Sequence, residues 1–304
     1  MIGQIFSLAF LAQTIRISVP YALASLGGVY SERGGVVNIA LEGIILNGAF
    51  CTAVGTYYTG SPLVGILCGV AGGLFTALIH AIVSINIKAD QIISGIAINL
   101  FAVGITKFVL GILFHSSSNS ARIRGLPHIY LGFIEHQRDV AHLLGNPMVL
   151  GTIAIVIASQ VILFKTRFGL RLRSVGENPE AADTVGISVN RYRYYGVLIS
   201  GALAGLAGAW LAFDQHSFTD GMSAGRGYIA LAAMIVGKWN PLGAAAACLL
   251  FGLAESLQIQ SQGGALPTQF IQMIPYVATI VVLAGFIGKA VAPGADGVPY
   301  EKEK

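Results

Sequence analysis

Residues 62–86 read PLVGILCGVAGGLFTALIHAIVSIN, a run that contains no lysine, arginine, aspartate or glutamate. A transmembrane helix needs about 20 predominantly apolar residues to cross the hydrocarbon core of a bilayer. This run is therefore long enough and apolar enough to form one membrane-spanning helix. The whole chain has the same character, since 55% of its 304 residues are hydrophobic and only 11% are charged. Soluble domains usually carry about 25% charged residues, so the composition indicates an integral membrane protein.

Similar apolar windows recur along almost the whole chain. They lie at residues 4–27, 36–58, 62–86, 91–114, 148–164, 195–213, 228–237, 242–261 and 271–290. We therefore predict an all-α fold, a polytopic transmembrane helical bundle of about nine spans. The window 228–237 is short for a full crossing, so we expect a broken or re-entrant segment there. One transmembrane domain would cover residues 1–291, and residues 292–304 would form a cytoplasmic polar tail.

The basic residues predict the orientation of the bundle. The densest basic stretch runs from Lys165 to Arg193, and the positive-inside rule places such a stretch in the cytoplasm. Counting single crossings from there places the N-terminus and the loop 115–147 outside. The cytoplasmic side would also hold further basic residues: Arg33, Lys88, Lys238, Lys289, Lys302 and Lys304. The outer side would keep only four arginines: Arg122, Arg124, Arg138 and Arg226.

Glycine accounts for 39 residues and recurs at helical spacing. Two series stand out: Gly65, Gly69 and Gly73, then Gly201, Gly205 and Gly208. Small residues at such spacings let the backbones of two membrane helices approach closely. We expect both series to lie at helix crossings within one subunit. A contact between two subunits is the alternative.

The basic loop 165–194 contains a short helix whose two ends can be recognised in the sequence. Asn178 is a favourable N-cap residue, and Pro179 suits the first helical position. Gly186 can adopt the left-handed conformation that ends a helix, and Ile187 can fold back as its apolar contact. The pattern therefore predicts a helix of about two turns.

A helix this short is marginal in water on its own. Ala182 and Val185 lie on one face of it, and we expect little of this chain to bury that face. One interpretation is a helix that docks into a groove on another protein. The other is an ordinary connection that contains one turn of helix, and the capping pattern alone does not separate the two.

Polar side chains recur on single faces of three predicted spans. They are Asn38, Glu42 and Asn47; Gln91 and Asn99; and Glu255 and Gln258. Polar groups are costly in hydrocarbon and tend to face a cavity or a partner helix. We therefore expect these residues to line the translocation path of a hydroxyl-rich solute. The alternatives are hydrogen bonds between helices and, for Glu42, an ion pair with Arg16 or Arg33.

Three stretches resemble a known transporter family. They are ERGGVVNIALEGIILNGAF (residues 32–50), GENPEAADTVGI (176–187) followed by RYRYYGVLISGALAGLAGAWLAF (191–213), and GRGYIALAAMIVGKWNPLGA (225–244). They resemble the membrane permease subunits of ATP-binding-cassette (ABC) importers of the branched-chain amino acid, ribose and nucleoside group. The likeness is greatest to simple-sugar and nucleoside permeases, and it covers almost the whole chain. It implies a type II importer-like bundle that carries a nucleoside or a simple sugar.

The resemblance also implies where a cytoplasmic ATPase would bind. In this family the loop helix, here residues 178–186, is the coupling helix. The residues expected to contact the ATPase are Gly176, Glu177, Asn178, Pro179, Ala181, Ala182, Gly186 and Ile187. The chain has no GxxxxGK[ST] phosphate-binding motif. We therefore expect it to be no enzyme and to bind no cofactor itself, with ATP and magnesium held by the separate ATPase subunit.

The family implies further partners and a location. We expect a second permease subunit, which would give a heterodimer, and an extracytoplasmic solute-binding protein. We also expect a multi-pass protein of the bacterial cytoplasmic (inner) membrane that contacts the lipid bilayer and no nucleic acid.

Two other classes of function remain open. A secondary transporter driven by an ion gradient would explain the spans and Glu42, but it would not explain a capped helix in a cytoplasmic loop. An intramembrane enzyme would need a nucleophile with its base, or a metal site. His80 is the only histidine in a predicted span and has no acidic residue near it in sequence. The histidines of the loop 115–147 lack the close spacing of a helix-borne metal site, so we expect no metal.

Overall fold

The computed structural model describes residues 7–127, 145–262 and 290–302, together with single positions between 270 and 281. Regular structure in this part is helical, apart from one isolated bridge between Asn119 and Thr219. The helices are α1 (Leu8–Arg33), α2 (Leu41–Thr59), α3 (Pro62–Ala81), α4 (Gln91–Phe114), α5 (Pro147–Lys165), α6 (Arg167–Glu177), α7 (Pro179–Thr184), α8 (Val189–Gln215), α9 (Arg226–Val236) and α10 (Pro241–Ser261). A π-helical turn, Ile82–Asn86, continues α3. The predicted all-α fold is confirmed for the described residues.

Among the described residues, five helices are long enough and apolar enough to cross a membrane. They are α3 with its π-helical turn, α4, α5, α8 and α10. Helices α1 and α2 have 26 and 19 residues, but polar residues such as Arg16 and Glu42 make them less apolar. Most of α1 is buried by its neighbours, and a helix enclosed by protein does not need an apolar surface toward lipid. The ninth predicted window, 271–290, lies mostly outside the described residues.

Helix α8 packs against α1, α2 and α3, and glycine makes these contacts possible. A Cβ atom on Gly73 would lie 2.3 Å from the carbonyl oxygen of Gly201, and one on Gly48 would lie 2.7 Å from the Cα of Gly205. A Cβ atom on Gly208 would lie 2.2 Å from the carbonyl oxygen of Ile45. Because these neighbours are backbone atoms, they cannot swing aside. The prediction that both glycine series lie at helix crossings within one subunit is confirmed.

The short window 228–237 forms helix α9, which has 11 residues. At 1.5 Å per residue such a helix is about 17 Å long, roughly half of the ~30 Å hydrocarbon core. The chain leaves the helical path at Gly237 and resumes it in α10 at Pro241. The expectation of a broken segment is therefore confirmed.

One end of the bundle brings together basic residues that are far apart in sequence. Arg33 lies 3.6 Å from the Glu177 carboxylate and donates to the carbonyl oxygen of Trp239 at 3.0 Å. Lys88 pairs with Glu301 of the tail at 2.6 Å. The predicted grouping of Arg33, Lys88, the basic loop and the tail on one side is confirmed, and its assignment to the cytoplasm stays a prediction from charge.

The opposite end has its own ion pairs. Arg16 lies 2.5 Å from Asp214, and Lys107 lies 2.9 Å from Asp220. Neither Arg16 nor Arg33 therefore pairs with Glu42, and that alternative is wrong.

The loop 165–194 holds two helices where the sequence analysis expected one. The additional helix, α6, begins at Thr166, whose side chain accepts a hydrogen bond from the Gly169 amide at 3.2 Å. Its arginines stand out in the sequence as part of the basic loop 165–194, and in the structure α6 is amphipathic. It buries Leu172 and Val175 and exposes its charged face.

Candidate transport path and coupling surface

Helix α7 has the ends that the sequence predicts. The side chain of Asn178 accepts a hydrogen bond from the Ala181 amide at 2.9 Å, and Pro179 occupies the first turn. Gly186 has a φ of 81°, which lies in the left-handed region. The amide of Ile187 then donates to the carbonyl oxygen of Ala182 at 3.0 Å. These short-range contacts define a helix of six residues.

We expected little of this chain to bury the face of α7 that holds Ala182 and Val185, and the structure agrees for only one of these two residues. Val185 is 74% exposed, but Ala182 is only 3% exposed. Ala182 packs with Val175 of α6 and Val189 of α8 in a small apolar cluster. The expectation for Ala182 is therefore wrong. The physical reason is that α6 and the start of α8 cover Ala182, and the sequence pattern of α7 does not show where those two segments lie.

The remaining predicted coupling residues fall into two groups. Gly176 is buried, and a Cβ atom there would lie 2.3 Å from the carbonyl oxygen of Arg33, so its role in the structure is a close approach of α6 to α1. The exposed group forms the outer surface of α7 and its N-terminal turn. It consists of Glu177, Asn178, Glu180, Ala181, Thr184, Val185 and Gly186. A partner would meet these residues first, while Pro179 and Ile187 are half-buried.

Glu42, a predicted path residue, closes the N-terminus of α9. Its carboxylate accepts hydrogen bonds from the amides of Gly225 at 2.8 Å and Gly227 at 2.7 Å. These are the first amides of α9, which have no partner within the helix. A negative charge is also favoured at a helix N-terminus. A Cβ atom on Gly227 would lie 2.4 Å from the Glu42 amide nitrogen, so glycine permits this close approach.

Gln91 and Asn99 on α4 bind the non-helical segment 34–40, which connects α1 to α2. Gln91 accepts a hydrogen bond from the amide of Val37 at 2.7 Å. Asn99 accepts one from the Gly43 amide at 2.8 Å and donates to the carbonyl oxygen of Ile39 at 3.0 Å. The side-chain oxygens of both residues are therefore occupied by backbone amides, whereas the buried side-chain nitrogen of Gln91 has no hydrogen-bond partner among the described residues.

His80 completes the support of this segment. One of its ring nitrogens lies 2.9 Å from the carbonyl oxygen of Val37, and the other lies 3.0 Å from the Ser94 hydroxyl. The side chain is fully buried. His80 thus acts as a hydrogen-bonded structural histidine in the described part of the chain.

Asn38 and Asn47 lie between helices. Asn38 donates to the Ser200 hydroxyl of α8 at 2.9 Å, and Asn47 donates to the Thr76 hydroxyl of α3 at 2.6 Å. These contacts are the hydrogen bonds between helices that were the alternative to a place on the solute path.

Glu255 and Gln258 on α10 have a different environment. The Glu255 carboxylate accepts a hydrogen bond from the Tyr21 hydroxyl and lies 3.5 Å from the Arg226 guanidinium. Its side chain is 19% exposed. Gln258 is half-buried, and its amide has no hydrogen-bond partner among the described residues. Like Glu42 and Asn47, these two predicted path residues retain some accessible surface.

A cavity of about 630 Å³ lies beside this group. Polar side chains and aromatic rings line it together: Gln13, Arg16, Asn146, Trp210, Phe213, Asp214, His216 and Arg226. They come from α1, α8, α9 and the connections at the end of the bundle opposite α7. Gln13 makes no side-chain hydrogen bond within residues 7–127 and 145–262, and the same holds for the indole N–H of Trp210, although Trp210 is only 3% exposed.

The cavity is large enough for a solute of moderate size. Trp210 and Phe213 border it but are only 3% and 6% exposed, so each offers a small apolar area. Free amide and indole donors can hold hydroxyl or ring-nitrogen groups. The sequence does not reveal this cavity, since its residues lie far apart and form no stripe on one helix.

The described residues contain no group of three or more histidines, cysteines or acidic residues that could hold a metal ion. The loop histidines His128, His136 and His142, and also Arg138, lie outside the described residues.

Three known proteins match the chain over most of its length. The chain is 44% identical to the nucleoside ABC transporter permease protein NupC of Lactococcus lactis, over 96% of each chain. It is 43% identical to the guanosine ABC transporter permease protein NupQ of Bacillus subtilis, over 100% of this chain and 99% of the relative. It is 29% identical to a second guanosine permease of Bacillus subtilis, NupP, over 97% of this chain and 87% of the relative.

A family model described as the permease component of the branched-chain amino acid transport system matches residues 10–284. This match includes the loop 165–194, the broken segment and most of the residues that line the cavity. The apolar helices of the fold agree with a multi-pass membrane protein. The chain therefore belongs to the family of branched-chain amino acid transport system permease components.

Proposed function

We propose that this chain is the membrane-spanning permease subunit of an ATP-driven ABC importer that carries a nucleoside. One observation supports the nucleoside above all: two relatives that match the chain over nearly its whole length are named as nucleoside and guanosine permeases. The cavity is compatible with this class of solute, because a nucleoside joins a flat apolar base to a hydroxyl-rich sugar and the cavity offers both apolar and hydrogen-bonding groups. A simple sugar would use the hydrogen-bonding groups of the cavity but not its apolar area.

In this proposal the two ends of the bundle have separate tasks. The cavity lined by Gln13, Trp210 and Phe213 opens the translocation path on the outer side, where a solute-binding protein delivers the nucleoside. Glu255 and Gln258 lie further along this path. Asn38, Glu42, Asn47, Gln91 and Asn99 hold its walls in place through the hydrogen bonds described above.

The exposed surface of α7 receives a separate ATPase subunit, which binds ATP and magnesium. Val185 is the most exposed large apolar residue of this surface, at 74%. An exposed apolar residue beside a polar rim is typical of a protein contact. ATP binding by the ATPase then favours one conformation of the bundle through its contacts with α7, as any coupled equilibrium requires.

The complete importer would contain a second, different permease. Bacillus subtilis has two guanosine permeases that both resemble this chain over most of its length. A heterodimer of permeases in the bacterial inner membrane, with two ATPase domains and an extracytoplasmic solute-binding protein, is the assembly we propose.

The coupling surface can be tested with matched variants at two exposed valines. Val185→Asp places a charge on the surface proposed to bind the ATPase, whereas Val291→Asp makes the same change at a residue outside α7 that is 78% exposed. We expect Val185→Asp to reduce co-purification of the ATPase and uptake of labelled guanosine by about tenfold or more, as for a buried interface residue. Val291→Asp should leave both near the wild-type level. Equal behaviour of the two variants would contradict the coupling assignment.

Uptake by the wild-type chain separates the proposal from its main rival. Uptake of labelled guanosine should stop when the ATPase gene is deleted and should survive collapse of the proton gradient while ATP is maintained. A secondary transporter driven by an ion gradient would show the opposite pattern. Competition by unlabelled uridine, guanosine and ribose then distinguishes a nucleoside path from a sugar path.

A further inference from the structure

The segment 294–302, which we call the C-terminal strap, lies across the proposed cytoplasmic end of the bundle. Near both of its ends it contacts the loop 165–194, which we call the coupling loop. Near its start, the amide of Ala295 donates to the carbonyl oxygen of Gly176 at 2.8 Å. The amide of Gly294 donates to the Glu177 carboxylate at 3.2 Å. Ala295 is only 7% exposed. The strap is therefore hydrogen-bonded to the last turn of α6, directly before α7.

The far end of the strap contacts α7 itself. Tyr300 packs against the apolar cluster that contains Ala182, the buried residue of α7. Lys302 lies 3.6 Å from the carboxylate of Asp183 on the same helix. Between them, Glu301 pairs at 2.6 Å with Lys88 in the turn that joins α3 to α4. The strap thus links α7 to a second cytoplasmic turn that α7 does not reach by itself.

The centre of the strap enters the bundle. The carboxyl group of Asp296 lies against the Glu32 carboxyl group at the end of α1, and the Arg193 guanidinium of α8 attracts it. Glu32 is 5% exposed and accepts a hydrogen bond from the Trp239 indole at 2.6 Å, while Arg193 is 1% exposed. Polar groups buried this deeply are costly unless they interact with one another. This central contact therefore depends on the strap being in place.

Helix α7 has six residues, too few to act as a rigid lever, since isolated short helices are marginal in water. Its direct supports are the cluster with Val175 and Val189 and the strap. We propose that the C-terminal strap is a working part of the coupling element. It fastens α7 to α1, α8 and the α3–α4 turn, so that a movement imposed on α7 reaches these helices together. This inference rests on the proposed ATPase contact at α7.

Two kinds of variant test the strap. A stop codon in place of the Gly294 codon removes the strap entirely. The full-length variant Asp296→Ala/Tyr300→Ala/Lys302→Ala keeps the chain length but removes its side-chain contacts with α1, α8 and α7. Val291→Ala, at an exposed residue before the strap, is the matched control. Each is produced with its ATPase, second permease and solute-binding protein in membrane vesicles.

Three quantities are measured for each complex: ATPase co-purified per permease, ATP hydrolysis stimulated by loaded solute-binding protein, and guanosine taken up per ATP hydrolysed. We expect both strap variants to retain the ATPase and to hydrolyse ATP. Their uptake per ATP should fall by about tenfold, within the usual range of coupling between two sites. The control should match the wild type.

Two outcomes would overturn the proposal. If both strap variants keep wild-type uptake per ATP, the strap does not transmit movement from α7 to the other helices. If the full-length triple variant loses the ATPase as well, the strap only maintains the shape of the docking surface. Failure of the strap proposal leaves wild-type uptake dependent on the ATPase. Failure of the proposed function instead appears in the wild-type chain, as guanosine uptake that does not require ATP.

Discussion

At the scale of single residues, the polar side chains inside the bundle mainly satisfy backbone groups that helices leave unpaired. Glu42 binds the first amides of α9, while Gln91 and Asn99 bind the non-helical segment 34–40. Irregular backbone at membrane depth is tolerated only where protein or water supplies the missing partners. A polar residue in a predicted span therefore indicates a broken helix nearby as readily as it indicates a solute path.

The role of Glu42 predicts the effect of its neutral isostere. Glu42→Gln removes the charge and presents an NH₂ group to one of the two amides of Gly225 and Gly227. Hydrogen bonds to a charged group contribute about 1.5–3 kcal/mol, so we expect a clear loss of thermal stability. The fraction of monodisperse detergent-solubilised protein after heating measures it. The control Glu301→Gln changes a side chain that is 78% exposed, and a similar loss there would contradict the capping role.

At the scale of helices, close packing of α2, α3 and α8 depends on glycine. The contacts of Gly73 with Gly201 and Gly205 are between backbones, so the helices cannot accommodate even one methyl group without moving apart. Van der Waals packing is a main source of helix association in lipid, where apolar burial gives little advantage. Separation of these helices would therefore remove much of what holds the bundle together.

Two glycine substitutions separate this packing effect from helix propensity. Gly73→Ala should destabilise the protein by about 1–3 kcal/mol, the usual cost of overpacking. Gly104→Ala, on α4 with no atom within 4 Å of the new methyl group, should be neutral or stabilising by up to about 1 kcal/mol. Thermal unfolding of both variants in the same detergent provides the comparison. Equal loss of stability in both would mean that the close approach of α3 and α8 is unimportant.

The strap contact predicts a dependence on pH. Burial raises the pKa of Asp296 from an ordinary value of 3.8 to about 7, because desolvation outweighs the attraction of Arg193. The docked strap therefore holds a proton that the free strap loses. Docking is strongest below pH 4, weakens as the pH rises toward 7, and stays constant above that value.

Hydrogen exchange of residues 294–302, corrected for the intrinsic rate at each pH, measures this docking. Between pH 6 and pH 8 we expect protection to fall by up to about tenfold, since one pKa unit corresponds to 1.36 kcal/mol. The titratable groups that face Asp296 are Glu32 on α1 and Arg193 on α8. Tyr300 interacts with Arg193, and Glu177 accepts a hydrogen bond from the Gly294 amide. Asp296→Asn should remove most of the dependence. A profile unchanged by this substitution would assign the effect to another group.

At the scale of the whole molecule, several ion pairs of the described residues lie at the two ends of the bundle. One end holds the coupling loop, Lys88 and the strap. The other holds the cavity and the pairs formed by Arg16 and Lys107. This separation agrees with a protein that receives solute at one face and mechanical work at the other.

The orientation of the bundle can be measured with single cysteines at its two ends. Val185→Cys lies on α7, and Ser117→Cys lies in an exposed part of the opposite loop. In cells that lack the ATPase, a membrane-impermeant maleimide should label Ser117→Cys when the cells are intact and Val185→Cys only in inside-out vesicles. The wild-type chain is the control, because Cys51 and Cys68 are partly buried and Cys248 is buried. The reverse pattern would show that the positive-inside assignment is wrong.

Local properties were predictable from the sequence. The length of each apolar run predicted the spans that the structure shows as α3, α4, α5, α8 and α10. This works because polar groups are costly in lipid in each segment separately. The ends of α7 were predictable because the contacts of Asn178 and Gly186 reach only a few residues along the chain. Resemblance in three stretches gave the family for the same reason, since a motif is a local pattern.

Contacts between distant residues were decided by the tertiary structure alone. The sequence placed Glu42 in a span, but only the fold brings it to Gly225 and Gly227, about 180 residues further along. The burial of Ala182, the cavity beside α8 and the strap across the coupling loop depend likewise on how helices pack. Periodicity shows which residues share a face of a helix. What lies opposite that face is decided by the close approaches that glycine permits and by the unpaired backbone groups that need a partner.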